Sequence, residues 1–200
     1  LHKALSGTNF ARAFADVAPE RFVVRRLLME LCRYLGGESA DNSGAPAPIK
    51  VFLSHAKQDF VSDPTLINAI ETELNHKPVE MWIDASKIPM GGQFADAIFA
   101  GVRETSVLCL LTDNYSTREW CKAELLGAKV HDRPIVVVDA LVKREVRNIP
   151  FMGNVPVIRW TGDAGAVIDL VLKESLRVLH ARRALEHVRA DTDIVFIRPP

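Results

Sequence analysis

The sequence is poor in cysteine, has no excess of either charge and contains no long apolar run. Its three cysteines, Cys32, Cys109 and Cys121, are odd in number and lack the spacing of metal ligands. They predict free thiols in a reducing compartment, and therefore a cytoplasmic protein. The 25 basic residues equal the 25 acidic ones, so nothing favours nucleic acid or an anionic membrane as a partner. No apolar stretch approaches the length that spans a bilayer.

Several functional motifs are also absent. The sequence has no G-x-G-x-x-G, no Walker motif and no G-x-S-x-G elbow, which argues against an ordinary dehydrogenase, NTPase or α/β-hydrolase. Ser54, His55 and Asp59 follow one predicted strand, but without the elbow they do not indicate a catalytic triad. The six histidines are scattered along the chain, so no metal site is predicted.

A polar segment divides the chain into unequal parts. Residues 36–50, GGESADNSGAPAPIK, can bury almost nothing, and within them we assign 38–48 as a linker. Residues 1–37 are expected to be a helical extension or the end of an upstream domain, 49–182 the main domain, and 183–200 a tail or the start of a further segment. Because the chain starts with Leu and stops at IRPP, we expect a piece of a longer protein that carries other domains.

The part before the linker has the pattern of two helices, near residues 4–16 and 19–35. Two helices are too small to hold a core alone, so they are expected to pack on the main domain or on another partner. Leucines recur at helical spacing in the second helix. Arg25, Arg26 and Arg33 are expected elsewhere on its surface.

After the linker, apolar strands and amphipathic helices alternate. The predicted strands are IKVFLSH, VEMWID, SVLCLLTD, PIVVVDAL and VPVIRW. The near-continuous apolar runs are typical of parallel strands that are covered on both faces. We therefore predict a doubly wound α/β domain with a five-stranded parallel sheet of flavodoxin-like order, preceded by the N-terminal helical extension. Asp63 and Pro64 predict the start of one helix, and residues 165–185 predict the closing one.

The stretch STREWCKAELLGAK, which begins at Ser116, contains one carboxylate that its own helix does not explain. Ser116 and Glu119 have the S-x-x-E spacing of a capping box. Glu124 lies on a different arc of the predicted helix and has no basic residue one turn away. We expect it either to be neutralised by a basic side chain of another element, such as Lys57 or Lys87, or to face a ligand.

The residues one turn before and after Glu124 are small or aromatic. They are Trp120, Cys121, Gly127 and Ala128. The small ones leave room beside the carboxylate, and Trp120 offers a flat face for a ring or a sugar unless it is a core aromatic. The helix starts from the carboxyl end of a predicted strand, which is where parallel sheets bind ligands.

Three segments together resemble a TIR domain. They are IKVFLSHAKQD, MWIDASKIPMGGQFADAI and SVLCLLTDNYSTREWCKAEL, and the resemblance spans roughly residues 49–179. The W-C-x-x-E portion is most similar to TIR domains of bacterial proteins and of NAD-cleaving members. The resemblance implies that Glu124 is the catalytic residue for cleaving NAD⁺ at the nicotinamide–ribose bond, with NAD⁺ as the substrate and no cofactor.

The resemblance also assigns residues around this carboxylate. The implied substrate-binding residues are Trp120, Ser54, His55, Lys57, Asp84 and Cys121. The implied gating and assembly loop, residues 85–93, contains Ser86, Ile88, Pro89, Gly91 and Gly92.

The implied role is that of an effector or signalling module in a bacterial immune protein of the antiphage type. It would self-associate and release nicotinamide with either ADP-ribose or a cyclic product. The alternative is a non-catalytic TIR module that signals by homotypic assembly. A third interpretation, a receiver-like or flavin-binding α/β domain, is disfavoured because no paired acidic cluster follows the first strand.

Overall fold

The computed structural model describes residues 19–36, 49–61, 63–75, 105–143 and 153–191. The helices are α1 (Pro19–Gly36), α2 (Thr65–Asn75), α3 (Glu119–Val130) and α4 (Ala164–Asp191). The strands are β1 (Val51–His55), β2 (Ser106–Leu111), β3 (Ile135–Asp139) and β4 (Val157–Arg159). Short 3₁₀ helices follow β1 and β2, at Lys57–Phe60 and Tyr115–Thr117.

The described strands form one parallel sheet in the order β1-β2-β3-β4. Leu53 on β1 is in register with Leu108 on β2, and Leu108 with Val136 on β3. This is the parallel α/β sheet that the sequence predicts for its first, third, fourth and fifth strands. The predicted second strand, residues 79–84, lies outside the described residues.

Alternate residues of the central strands supply two separate cores. Val107, Cys109 and Leu111 of β2 pack toward α3, in a cluster that also contains Leu125. Leu108 and Leu110 of the same strand belong to the opposite cluster, toward α2 and α4. Because both faces are covered, every residue of β2 is buried. This explains why the strand reads as one continuous apolar run.

Helix α1 packs onto the domain through α4. Met29 is fully buried in the α2–α4 core cluster, and the Cys32 thiol lies 3.9 Å from the carbonyl oxygen of Leu172. At the far end, the Arg183 Nε donates to the carbonyl oxygen of Leu35 at 3.1 Å. The sequence left open whether this helix packs on the main domain or on another partner. In the structure it packs on the main domain.

The prediction that the arginines of α1 lie on its surface was wrong for two of them. Arg25 and Arg33 are only 6% and 9% exposed. Arg25 donates to the carboxylates of Glu73 on α2 at 2.5 Å and Asp169 on α4 at 2.6 Å. The pattern of α1 alone could not show this, because both carboxylates come from distant parts of the chain.

Helix α2 begins at Thr65, one residue later than the start predicted from a cap at Asp63 and a first helical residue at Pro64. The Asp63 carboxylate accepts the backbone N–H of Thr65 at 3.0 Å, and the N–H of Asn68 bonds to the carbonyl oxygen of Pro64 at 2.9 Å. Hydrogen bonds from the Thr65 side chain, and next from its backbone N–H, hold the pKa of Asp63 below its ordinary value. The closing helix α4 runs to Asp191, past the predicted end of the domain. None of the described helices is both long and apolar enough to cross a membrane.

Candidate functional site

Helix α3, which carries Glu124, begins later than the sequence suggests. Ser116 lies inside the 3₁₀ helix, and Arg118, in extended conformation, is the N-cap residue without a side-chain capping bond. The predicted capping box is therefore wrong, because Glu119 is the first residue of α3 and not its third. Glu119 instead pairs with Lys122 at 2.7 Å on the solvent side.

The Glu124 carboxylate is buried, with only 6% of the residue exposed. Its Oε2 accepts a hydrogen bond from the Ser54 hydroxyl at 2.5 Å. Ser54 is the fourth residue of β1 and is 1% exposed. The phenolic oxygen of Tyr115 lies 2.7 Å from the same Ser54 hydroxyl and 3.3 Å from the carbonyl oxygen of Cys121. The strand, the 3₁₀ helix and α3 thus bring together three oxygen-bearing side chains in a buried environment.

This geometry bears on the two alternatives for Glu124. The sequence leaves open a basic partner from another element or a ligand, and the structure shows that one of the hydrogen bonds to Glu124 comes from a hydroxyl on β1. Lys57, one of the two proposed cations, is exposed on the first 3₁₀ helix. The other, Lys87, lies outside the described residues.

The remaining described residues of the predicted site lie around this cluster. The Cys121 thiol donates to the carbonyl oxygen of His55 at 3.6 Å, which ties α3 to the end of β1. The His55 ring is half-buried and packs edge-on against Phe60, with 5.5 Å between the ring centres. Trp120 is 52% exposed, so it is not a core aromatic. The other predicted site residues lie outside the described part of the chain. They are Asp84, Ser86, Ile88, Pro89, Gly91 and Gly92.

Sequence reasoning missed one member of the cluster, Tyr115. A single tyrosine in a polar loop after a strand has no pattern that points to a buried carboxylate on the following helix. The ring is fully buried in the α3 core cluster. Burial raises the pKa of its phenol well above the usual range, so the hydroxyl stays protonated at neutral pH.

A second polar feature lies at the carboxyl ends of β1, β2 and β3. It is a crevice of about 490 Å³ with several acidic residues in its lining. Asp113 accepts the backbone N–H groups of Val142 and Lys143, and Asp59 accepts hydrogen bonds from Asn114. These two carboxylates fasten the loops that follow the strands. No group of residues in the described part of the chain has the composition of a metal site.

The three thiols are expected to be inert in the folded protein. Burial, and next the Glu124 charge, raise the pKa of Cys121 to about 12, and burial raises that of Cys32 to about 11. Burial raises the pKa of Cys109 further. Since the thiolate is the reactive form, roughly one thiol in a thousand or fewer is ionised at pH 7.5. Ellman's reagent should report no rapid reaction at that pH, and three thiols after unfolding. Fast labelling of the native protein would contradict this assignment.

Comparison with known families supports the architecture just described. A TIR-domain family model matches residues 51–170. The chain belongs to the TIR-domain family. The match begins at β1 and ends within α4, so the TIR segment contains Ser54, Tyr115 and Glu124 but not α1. A search of curated proteins found no match to this TIR protein.

Proposed function

We propose that this TIR domain is an NAD⁺ nucleosidase with Glu124 as the catalytic carboxylate. The observation that carries the proposal is a buried carboxylate that accepts a hydrogen bond from a neutral hydroxyl, that of Ser54, at 2.5 Å. A hydroxyl orients a carboxylate but does not cancel its charge. A carboxylate held in this way in a buried site is suited to stabilising a cation that develops during a reaction.

The chemistry of NAD⁺ needs only one such carboxylate. Ordinary glycosidases use two, one of which protonates the leaving oxygen. Nicotinamide is a cationic pyridinium in NAD⁺ and leaves as a neutral molecule, so no general acid is required. Glu124 stabilises the oxocarbenium-like ribose, or attacks it, as the C–N bond breaks. The ribosyl group then passes to water, giving ADP-ribose, or to an adenine nitrogen of the same molecule, giving a cyclic product.

The residues around Glu124 suit a nucleotide substrate. Trp120 lies one turn before Glu124 on α3 and is 52% exposed, and an indole ring can pack against a base or a sugar. We also assign His55, at the end of β1, and Cys121, whose thiol donates to the His55 carbonyl oxygen, to the proposed substrate site. We assign Lys57, Asp84 and the loop of residues 85–93 to substrate contact and gating on the basis of the family resemblance.

We further propose that the protein acts as an effector or signalling module of bacterial defence, and that the TIR domains must self-associate to be active. In that case, a monomer is nearly inactive because the gating loop opens the site only on assembly.

The test is a chromatographic assay of NAD⁺ loss and nicotinamide release over a wide range of protein concentration. We expect the two amounts to be equal, and the rate to rise more steeply than in proportion to concentration. Rates strictly proportional to concentration would contradict the requirement for assembly. No cleavage at any concentration, even with forced clustering, would overturn the enzyme proposal in favour of a TIR module that acts by assembly alone.

A further inference from the structure

We propose that Tyr115 and Ser54 form a hydroxyl relay that positions the Glu124 carboxylate, with Tyr115 acting only through Ser54. The inference rests on the proposed function for its catalytic consequence, although the relay itself is a matter of geometry. Neither residue is a catalytic residue in this scheme. Both are positioning residues, and Tyr115 lies one hydrogen bond further from the reacting atoms than Ser54.

The direction of the relay follows from counting protons. An ionised carboxylate can only accept, so the single hydroxyl proton of Ser54 is committed to Glu124 Oε2 at 2.5 Å. The Ser54 oxygen can then only accept from Tyr115, whose phenolic oxygen is 2.7 Å away. The Tyr115 hydroxyl also interacts with the Cys109 thiol, and the Cys121 carbonyl oxygen is a further acceptor at the longer distance of 3.3 Å. The chain of donation therefore runs from Tyr115 to Ser54 to Glu124.

Because its three side chains are buried, the relay can hold the Glu124 carboxylate in one orientation. Ser54, Tyr115 and Glu124 are respectively 1%, 0% and 6% exposed, so water does not compete strongly for these hydrogen bonds. Successive bonds in such a chain polarise each other, so the Tyr115 hydroxyl makes Ser54 a stronger donor. Loss of either hydroxyl should leave Glu124 less well oriented and its ionised form less stabilised.

Three buried ionisable groups described in the structure lie close to Glu124 or to its hydrogen-bond partner. Cys109 of β2 and Cys121 of α3 interact with the Glu124 charge, and burial raises the pKa of both thiols, to about 12 for Cys121. Tyr115 likewise has a pKa well above the usual range because it is buried. All three groups are neutral between pH 5 and pH 8, so none of them changes charge in that range.

The decisive experiment is a double-mutant cycle with Tyr115→Phe and Ser54→Ala. Tyr115→Phe keeps the buried ring and removes only the hydroxyl. We expect it to lower kcat for NAD⁺ cleavage by about 3- to 10-fold with KM unchanged, and Ser54→Ala to lower kcat by about 10- to 100-fold. Because Tyr115 acts through Ser54, Tyr115→Phe should have almost no further effect in the Ser54→Ala protein. Independent, multiplicative losses would overturn the relay.

Matched controls separate the relay from general packing. Tyr34→Phe removes the hydroxyl of the other tyrosine in the chain, which is 70% exposed on α1. Ser175→Ala removes another buried serine hydroxyl, one that is hydrogen-bonded to Ser106 at 2.8 Å. Both controls should leave kcat within twofold. A loss in either control as large as that in its partner variant would overturn the positioning role.

A readout that does not depend on activity keeps the relay testable if NAD⁺ is not the substrate. The carboxyl carbon of Glu124 is followed by NMR in protein with ¹³C-labelled glutamate, and its signal is assigned by its loss in Glu124→Gln. We expect its titration midpoint to move to higher pH in Tyr115→Phe and further in Ser54→Ala. This shift in the absence of NAD⁺ cleavage would contradict the proposed function and still support the relay. An unmoved midpoint in both variants would overturn the relay, whatever the activity.

Discussion

Replacing Glu124 with glutamine should lower kcat for the proposed NAD⁺ cleavage by about a hundred- to a thousandfold. Glutamine has nearly the same shape, and its side-chain oxygen can still accept the bond that Ser54 Oγ donates at 2.5 Å in the native protein. What it loses is the negative charge that would stabilise the ribosyl cation. The measurement is nicotinamide release under conditions in which the natural chain is active, with the thermal unfolding temperature recorded for both proteins.

Glu119→Gln is the control for this substitution. Glu119 is on the same helix, but its side chain is 84% exposed and is paired with Lys122. It should therefore retain nearly full activity, since exposed pairs of this kind contribute little. Cleavage that survives in Glu124→Gln would place the activity elsewhere. An equal loss in both variants would show that the helix as a whole, and not the Glu124 charge, is required.

Replacing Arg25 with alanine should cost about 3 kcal/mol of the free energy of unfolding, the largest loss of stability that we expect from a single charged residue. Arg25 joins α1 to α2 through Glu73 and to α4 through Asp169, and also donates to the carbonyl oxygen of Gly165 at 2.8 Å. Its removal leaves Glu73 and Asp169, each about a quarter exposed, without this partner. For a domain of this size the melting temperature should fall by roughly 6–12 °C.

Arg26→Ala is the matched control, one position along the same helix. Its side chain is 30% exposed and pairs with Glu30 within α1 at 3.3 Å, so its loss should cost less than about 0.5 kcal/mol. Denaturant unfolding of both variants measures the difference. If the two substitutions cost the same, then the contacts of Arg25 with α2 and α4 do not hold α1 in place.

Much of the fold could be predicted because its residues carry their own signals. The buried strand β2 is apolar at every position from Val107 to Leu111, and Asp63 with Pro64 is a local start signal for a helix. Ion pairs between distant elements carry no such signal. Arg25 looks like any surface arginine of an amphipathic helix, since Glu73 and Asp169 are 48 and 144 residues away in the sequence.

The candidate site likewise has one residue that the sequence could single out and contacts that it could not predict. Glu124 could be singled out because the pattern of its own helix gives no reason for a carboxylate there. The bond from Ser54 could not be foreseen, since it spans 70 residues, and Tyr115 joins the cluster only because the 3₁₀ helix turns its ring into the core. The prediction of a capping box was wrong for a related reason. A four-residue motif does not reveal that Ser116 already belongs to another short helix.

The packing of α1 on α4 also has a consequence for the order of folding. The contacts of Arg25 and Arg183 that join these helices link residues 140 to 148 positions apart. Such distant contacts form late, because the closing of long loops opposes them until the intervening chain is ordered. During synthesis α1 leaves the ribosome before any other described element, yet α4, its main partner, leaves last. Helix α1 is thus among the first elements made and among the last to be secured, and until then its apolar face and the Arg25 guanidinium remain in water.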